Sequence, residues 1–247
     1  VDSETVAAWV EAIGTWLAAT LTFFVLLWAV FHERLIDWFN RPKLSVSIRP
    51  SAPDCMKLLW GMLKQRADSI EVPLPVPVYY LRLRVSNFGS RKADTLQVRL
   101  AKVEQLDKDG NHPIPSLSNL NLTWARKENG DNLVFLPTLQ RRAFEHCNLA
   151  HVFRPTDRHR KHVFFLFEQK EWPHVSKDQT ILSLDVADKA FHLPHLLPPG
   201  SYRFHLAVSS ADVAPVTKTI DLTLTGDWYD DEGEMFLKGV TVSESTH

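Results

Sequence analysis

The sequence predicts a mainly β chain, an antiparallel β-sandwich preceded by one N-terminal transmembrane helix. Three observations carry this prediction. Ala12 to Phe31 is a run of 20 residues without a formal charge. Downstream of Lys43, alternating apolar runs of strand length recur, each bounded by Gly, Pro, Asn or Asp. No long stretch of helical periodicity interrupts them.

Residues 1–11, "VDSETVAAWVE", are an acidic flank. The uncharged run 12–31 spans about 30 Å as a helix, the thickness of a bilayer's hydrocarbon core. Glu11 precedes it and His32, Glu33 and Arg34 follow, so the apolar segment ends where headgroups begin. Trp9 and Trp28 lie about 28 Å apart along such a helix and suit the two interfacial aromatic belts. A cleavable signal peptide needs a basic start and a small-residue cleavage site, and neither "VDSETVAAWVE" nor "WAVFHER" supplies them. The segment is therefore expected to remain as an anchor. Asp2, Glu4 and Glu11 precede it, whereas Arg34, Arg41, Lys43 and Arg49 follow it. The positive-inside rule then predicts a single-pass protein of the inner membrane with its C-terminal domain in the cytoplasm.

At 100° per residue, Glu11, Thr15, Ala18, Thr22 and Ala29 share one stripe of the anchor, with Gly14 at its margin. Small and polar residues on one face allow close helix approach in lipid, so this stripe is the expected surface of a homo-oligomer. Residues 32–42, "HERLIDWFNRP", read as a short juxtamembrane helix at the membrane surface, stopped by Pro42.

The sandwich is expected over 43–247. Its strand signals are "KLSVSIRP", "VYYLRLRVSNFG", "ADTLQVRLAKVEQL", "LNLTWAR", "HVFFLFEQ", "TILSLDVAD", "SYRFHLAVSS" and "TKTIDLTLTG". Asp109-Gly110 marks a hairpin turn. One helical insert is expected at about 53–69, where Met56, Leu59, Trp60 and Leu63 share a face, followed by an extended edge through Pro73, Pro75 and Pro77. A formal net charge of -1 excludes a globally basic or acidic bait, and two cysteines, Cys55 and Cys147, exclude a disulfide-rich scaffold. Both are expected as thiols in the cytoplasm.

"YYLRLRVSNFGSRKADTLQVRL", with Asn87, Gly89 and Ala93 between two alternating strands, resembles the immunoglobulin-like sandwiches related to the bacterial cell-adhesion-related domain. "LPPGSYRFHLAVSS" is similar to the penultimate-strand region of such modules. With the N-terminal helix, Trp38, Arg41-Pro42-Lys43 and "GDWYDDEGEMF", the chain resembles uncharacterised bacterial membrane-anchored immunoglobulin-like sandwiches. The resemblance implies a fold and brings no catalytic residues.

No nucleophile elbow, zinc-protease helix, P-loop or dinucleotide fingerprint is present, so no catalytic residue and no cofactor are assigned. "DKDGN" lacks the later carboxylates of a calcium loop and reads as a turn. His146, Cys147 and His151, with His159 and His162 beyond, lack metal-ligand spacing and read as surface histidines on a half-buried strand. Asp227 to Glu234 reads as a solvated acidic loop, and no metal site is assigned. The basic run Arg154, Arg158, Arg160 and Lys161 is the candidate site for an anionic ligand or lipid. It has no interleaved aromatics for base stacking, which disfavours nucleic acid.

Two function classes follow. The first is a membrane-tethered, non-enzymatic adaptor whose partners are the bilayer and a protein or anionic ligand at the inner membrane face. The alternative is a membrane effector or receptor, for example in anti-phage defence, in which sensing by the sandwich drives assembly of the transmembrane helices.

Overall fold

A computed structural model describes residues 2–39, 41–60, 64–66, 69–71, 76–128, 131–154, 179–189 and 195–245. The chain divides into two compact units, Val1–Arg41 and Pro42–His247.

The first unit is one helix, α1 (Ser3–Phe39). Its window Trp9–His32 is long and apolar enough to cross a membrane, and none of that window is buried within the structure. Thr15, Thr20 and Thr22 turn their hydroxyls back to the carbonyls of Glu11, Trp16 and Ala18, at 2.9, 2.8 and 2.8 Å. These hydroxyls are thus satisfied within the helix. The expected separate juxtamembrane helix is not a separate element. No Gly or Pro lies between Glu33 and Phe39, so α1 runs on to Phe39 and ends ahead of Pro42.

The second unit contains β1 (Leu44–Ser47), β2 (Cys55–Trp60), β3 (Lys64–Arg66), β4 (Ser69–Glu71), β5 (Val76–Asn87), β6 (Ala93–Asp107), β7 (Gly110–Pro113), β8 (Leu120–Asn121) and β9 (Thr123–Trp124). There follow β10 (Lys127–Glu128), β11 (Asp131–Asn132), β12 (Phe135–Leu139), β13 (Phe144–Phe153), β14 (Ile181–Leu184), β15 (Leu196–Leu197), β16 (Gly200–Ser210), β17 (Val213–Leu224) and β18 (Val240–Ser245). The first large sheet has the order β1-β5-β13-β14-β15, with β2 also on β5 and β9 on β13. The second has the order β12-β6-β16-β17-β18, with β7 and β8 on β6. The pairs β3–β4 and β10–β11 form two small ribbons, and all pairings are antiparallel.

The alternation read from the sequence sets the core. Tyr79, Leu81, Leu83 and Val85 of β5 meet Leu96, Val98 and Leu100 of β6, Tyr202, Phe204 and Leu206 of β16, and Ile220 and Leu222 of β17 in one buried cluster. Tyr202 carries its hydroxyl into this layer and donates it to the Pro198 carbonyl at 2.8 Å. Trp124 of β9 is fully buried and donates its indole N–H to the Val134 carbonyl at 3.2 Å. Both aromatic residues thereby bury large apolar area without leaving a donor unpaired.

The helical insert expected at about 53–69 is replaced by β2, β3 and β4. A short apolar run suits either state, and here the ladder decides. Cys55 pairs with Leu81 and Trp60 with Val76 along the open edge of β5. Leu59, assigned to an apolar helix face, is 67% exposed instead. β1 and β2 share that edge end to end, β1 opposite Arg84 to Asn87 and β2 opposite Val76 to Leu81. Asp54 sits at the changeover, where its carbonyl accepts the Arg82 N–H at 2.8 Å.

Candidate functional site

β5 and β13 carry the chemistry of the first sheet on their outward face. In β5 the inward residues leave Tyr80, Arg82 and Arg84 pointing away from the core. In β13 the register against β5 shifts between Asn148 and Ala150, which puts both Leu149 and Ala150 in the core. The bulge changes the phase of the strand. His146 and Asn148 face outward before it, and His151 does so after it.

These residues form a ladder of cations, aromatics and carboxylates. Asp54 is fully buried. Its Oδ1 accepts from Arg84 Nε at 3.2 Å and Nη2 at 3.1 Å, and lies 2.9 Å from His146 Nε2. Its Oδ2 accepts the Arg49 N–H at 3.2 Å. The Arg84 guanidinium lies 4.3 Å from the centre of the Phe144 ring. One step along, Arg82 donates to Asn148 Oδ1 at 3.2 Å and covers Tyr80, 5.1 Å from its ring centre. Tyr80 packs against His151, with centroids 5.4 Å apart, and His151 Nδ1 lies 3.0 Å from Asp185 Oδ1. Burial, then the Asp185 charge, raises the Tyr80 hydroxyl above its ordinary pKa.

Beside this pair, His195 is buried and its imidazole is held neutral, its pKa lowered to about 4 by burial first and then by Lys189 and His151. Among the described residues, Asp185 Oδ2, His195 Nδ1 and Thr180 Oγ1 are buried side-chain atoms with no hydrogen-bond partner.

Ser183 stands opposite His151 in the register of β14 on β13, so a serine, a histidine and an aspartate share one patch. Ser183 and His151 are each only 3% exposed. Acyl transfer needs a nucleophile that a substrate carbonyl can approach, which this burial does not provide. The chemistry that the ladder does perform is bracing. Each carboxylate is matched to a cation or histidine on a neighbouring strand. Sequence reasoning missed it because Asp54, Arg84, His146 and Asp185 meet only through strand pairing. The one readable sign is outward cations alternating with core residues in "YYLRLRV".

Of the expected surface histidines, His159 and His162 lie outside the described residues, and the reading is corrected at the other two. His151 is buried, and His146 is partly buried against Asp54. Among the described residues no group of three His, Cys, Asp or Glu is placed to hold a metal. Cys55 and Cys147 are free, buried thiols. Burial pushes Cys55 up to about 12 and raises Cys147 well above the ordinary thiol value. In the acidic loop Asp227, Asp230, Asp231 and Glu234 are exposed, whereas Glu232 is half-buried and accepts the Lys57 N–H at 2.8 Å; Trp228 and Tyr229 pack against the core, and Tyr79 donates to the Tyr229 carbonyl at 2.6 Å. Asp231 Oδ1 caps a helical turn at Glu232–Glu234 by accepting the Glu234 N–H at 2.8 Å.

Of the basic run, Arg154 is described and exposed just beyond β13, while Arg158, Arg160 and Lys161 lie outside the described residues, as does "HVFFLFEQ". Glu11, Gly14, Thr15, Ala18, Thr22 and Ala29 are all exposed along α1. A side-chain carbon added at Gly14 meets nothing within 4 Å. In comparisons with known proteins, the chain matches no family model, no curated protein and no solved structure.

Proposed function

We propose that this chain is a single-pass, membrane-tethered recognition module without catalytic activity, its sandwich on the cytoplasmic side of the inner membrane. The observation that carries the reading is the helix window Trp9–His32, apolar and nowhere buried, in a chain whose other unit has its own core. Such a surface is stable in lipid and unfavourable in water. The cation excess after the helix, Arg34, Arg41, Lys43 and Arg49 against Asp2, Glu4 and Glu11 before it, supports the orientation. The self-braced ladder and the buried thiols support binding rather than catalysis, since neither offers an accessible activated nucleophile. The partner is a protein or an anionic ligand at the membrane face.

The effector reading is the second, favoured by one observation. Gly14 and Ala18 leave an open, small-residue surface on α1 where another helix can approach. Because Thr15 and Thr22 already bond within the helix, such an assembly rests on packing more than on interhelical hydrogen bonds.

Expression in bacteria with a membrane-potential dye tests the two together. A tethered module stays in the membrane pellet through an alkaline carbonate wash and leaves the potential unchanged. Depolarisation puts the effector first, and release by carbonate overturns the anchor itself.

A further inference from the structure

One end of the sandwich is tied together by Asn87. Its Oδ1 accepts the N–H groups of Lys43 and Gly89 at 3.1 and 3.0 Å, and its Nδ2 donates to the carbonyls of Arg91 and Leu139 at 2.7 and 3.4 Å. Its backbone carbonyl accepts the Arg142 N–H at 2.7 Å, and the Lys43 carbonyl accepts the Phe88 N–H at 2.8 Å. One fully buried amide thus gathers the start of β1, the loop 88–92 and the turn 140–143.

What this end presents is basic and tipped with an aromatic ring. Lys43, Arg91, Lys92, Arg141 and Arg142 are all exposed, and Phe88 is 69% exposed among them. Lys92 pairs with Asp94 at 2.8 Å, and Asp212 flanks that pair by accepting the Asp94 N–H at 3.1 Å. Lys43, Arg141 and Arg142 outnumber these two acids. Arg142 holds φ +54°, a left-handed conformation uncommon for a side chain of its size. Asn or Gly would adopt it at less cost, yet an arginine stands there with its N–H anchored to Asn87. A basic ring around an exposed phenylalanine is the chemistry that engages anionic headgroups, with the cations at phosphate level and the ring in the interface.

Chain connectivity favours a bilayer over other anions. Lys43 follows His32 by a helical stretch to Phe39 and four further residues, about 25 Å at most. The opposite end of the sandwich, at the Asp107–Gly110 turn, lies the length of the 15-residue β6 away.

We propose that the loop end formed by Lys43, Phe88, Arg91, Lys92, Arg141 and Arg142 docks on an anionic lipid surface. This inference rests on the reading of α1 as a membrane anchor, and it is independent of which side of the membrane the sandwich occupies.

The test uses the full chain in nanodiscs of phosphatidylcholine, with or without 30% phosphatidylglycerol, and a trace of headgroup-labelled quencher lipid. An environment-sensitive dye is placed on Gln140→Cys or, as the distant control, on Asp109→Cys; both are exposed, and the native thiols are buried. Docking predicts at least twofold stronger quenching at 140 in anionic discs than in neutral ones. That gain disappears in 1 M salt and in the Lys43→Ser, Arg141→Ser, Arg142→Ser variant, while the signal at 109 does not change. Phe88→Ser, which leaves the charges in place, lowers the gain as well. Equal quenching at 140 in both lipids overturns the docking surface and leaves the patch to an acidic protein. Failure of the chain to co-purify with either disc overturns the anchor, a separate outcome.

Discussion

Asp54→Ala is the perturbation whose cost the structure sets most sharply. The carboxylate is fully buried and satisfies Arg84, His146 and the Arg49 N–H together. Deleting it leaves the Arg84 guanidinium, only 18% exposed, beside Phe144 with no counter-charge. Breaking a buried pair by removing one partner costs about 3–5 kcal/mol. Residual solvent contact at Arg84 places this case near about 3 kcal/mol. For a domain of this size that lowers the melting midpoint by about 6–12 °C. Thermal unfolding of the full chain in detergent, followed by near-ultraviolet circular dichroism, measures the shift. Asp54→Ala with Arg84→Met removes both charges and is expected to recover part of the loss, because the single variant's penalty is chiefly the stranded cation. A shift below about 3 °C for Asp54→Ala, or a double variant no better than the single one, refutes the ladder as a brace.

Four further outcomes are expected. His195, neutral in the fold with a pKa near 4 against an ordinary 6.5, binds its proton more readily when unfolded. Stability is therefore full above about pH 6.5, declines by up to about 3 kcal/mol as pH falls toward 4, and declines less in His195→Gln; urea titrations across that range read the slope. Tyr202→Phe strands the Pro198 carbonyl and costs about 1 kcal/mol in the same titration at neutral pH. Cys55 and Cys147 resist iodoacetamide at pH 8 in the folded chain and react after denaturation, counted by mass spectrometry. In a membrane self-association reporter, Gly14→Leu with Ala18→Leu lowers the signal if α1 assembles through its small face, while Phe24→Leu leaves it unchanged.

The apolar N-terminal helix and most long strands were legible because each obeys one local rule. Ala12 to Phe31 is uncharged over a bilayer's length, and β5, β6, β16 and β17 alternate core and outward residues. β2 was not legible, since "CMKLLW" fits a helix face as well as a strand and only the free edge of β5 decides between them. The outward ladder was hidden for a related reason. Asp54, Arg84, His146 and Asp185 lie far apart in sequence, and the bulge at Asn148 to Ala150 that turns His151 outward has no composition signature. The loop end at Asn87 was half legible. Asn87 and Gly89 marked the break between two strands, but their neighbours Lys43 and Arg142 are brought there by hydrogen bonds of long sequence separation.

The account stands on the helix spanning the membrane with the sandwich inside the cell, and paired fusions at the C-terminus test this most directly. Green fluorescent protein and alkaline phosphatase are each joined after His247 and expressed in the same bacterial host, at matched levels. The account predicts a fluorescent cell envelope with the first fusion and no phosphatase activity with the second. Strong phosphatase activity with a dark fluorescent-protein fusion contradicts it, because the sandwich then lies outside and Arg34, Arg41, Lys43 and Arg49 do not set the orientation.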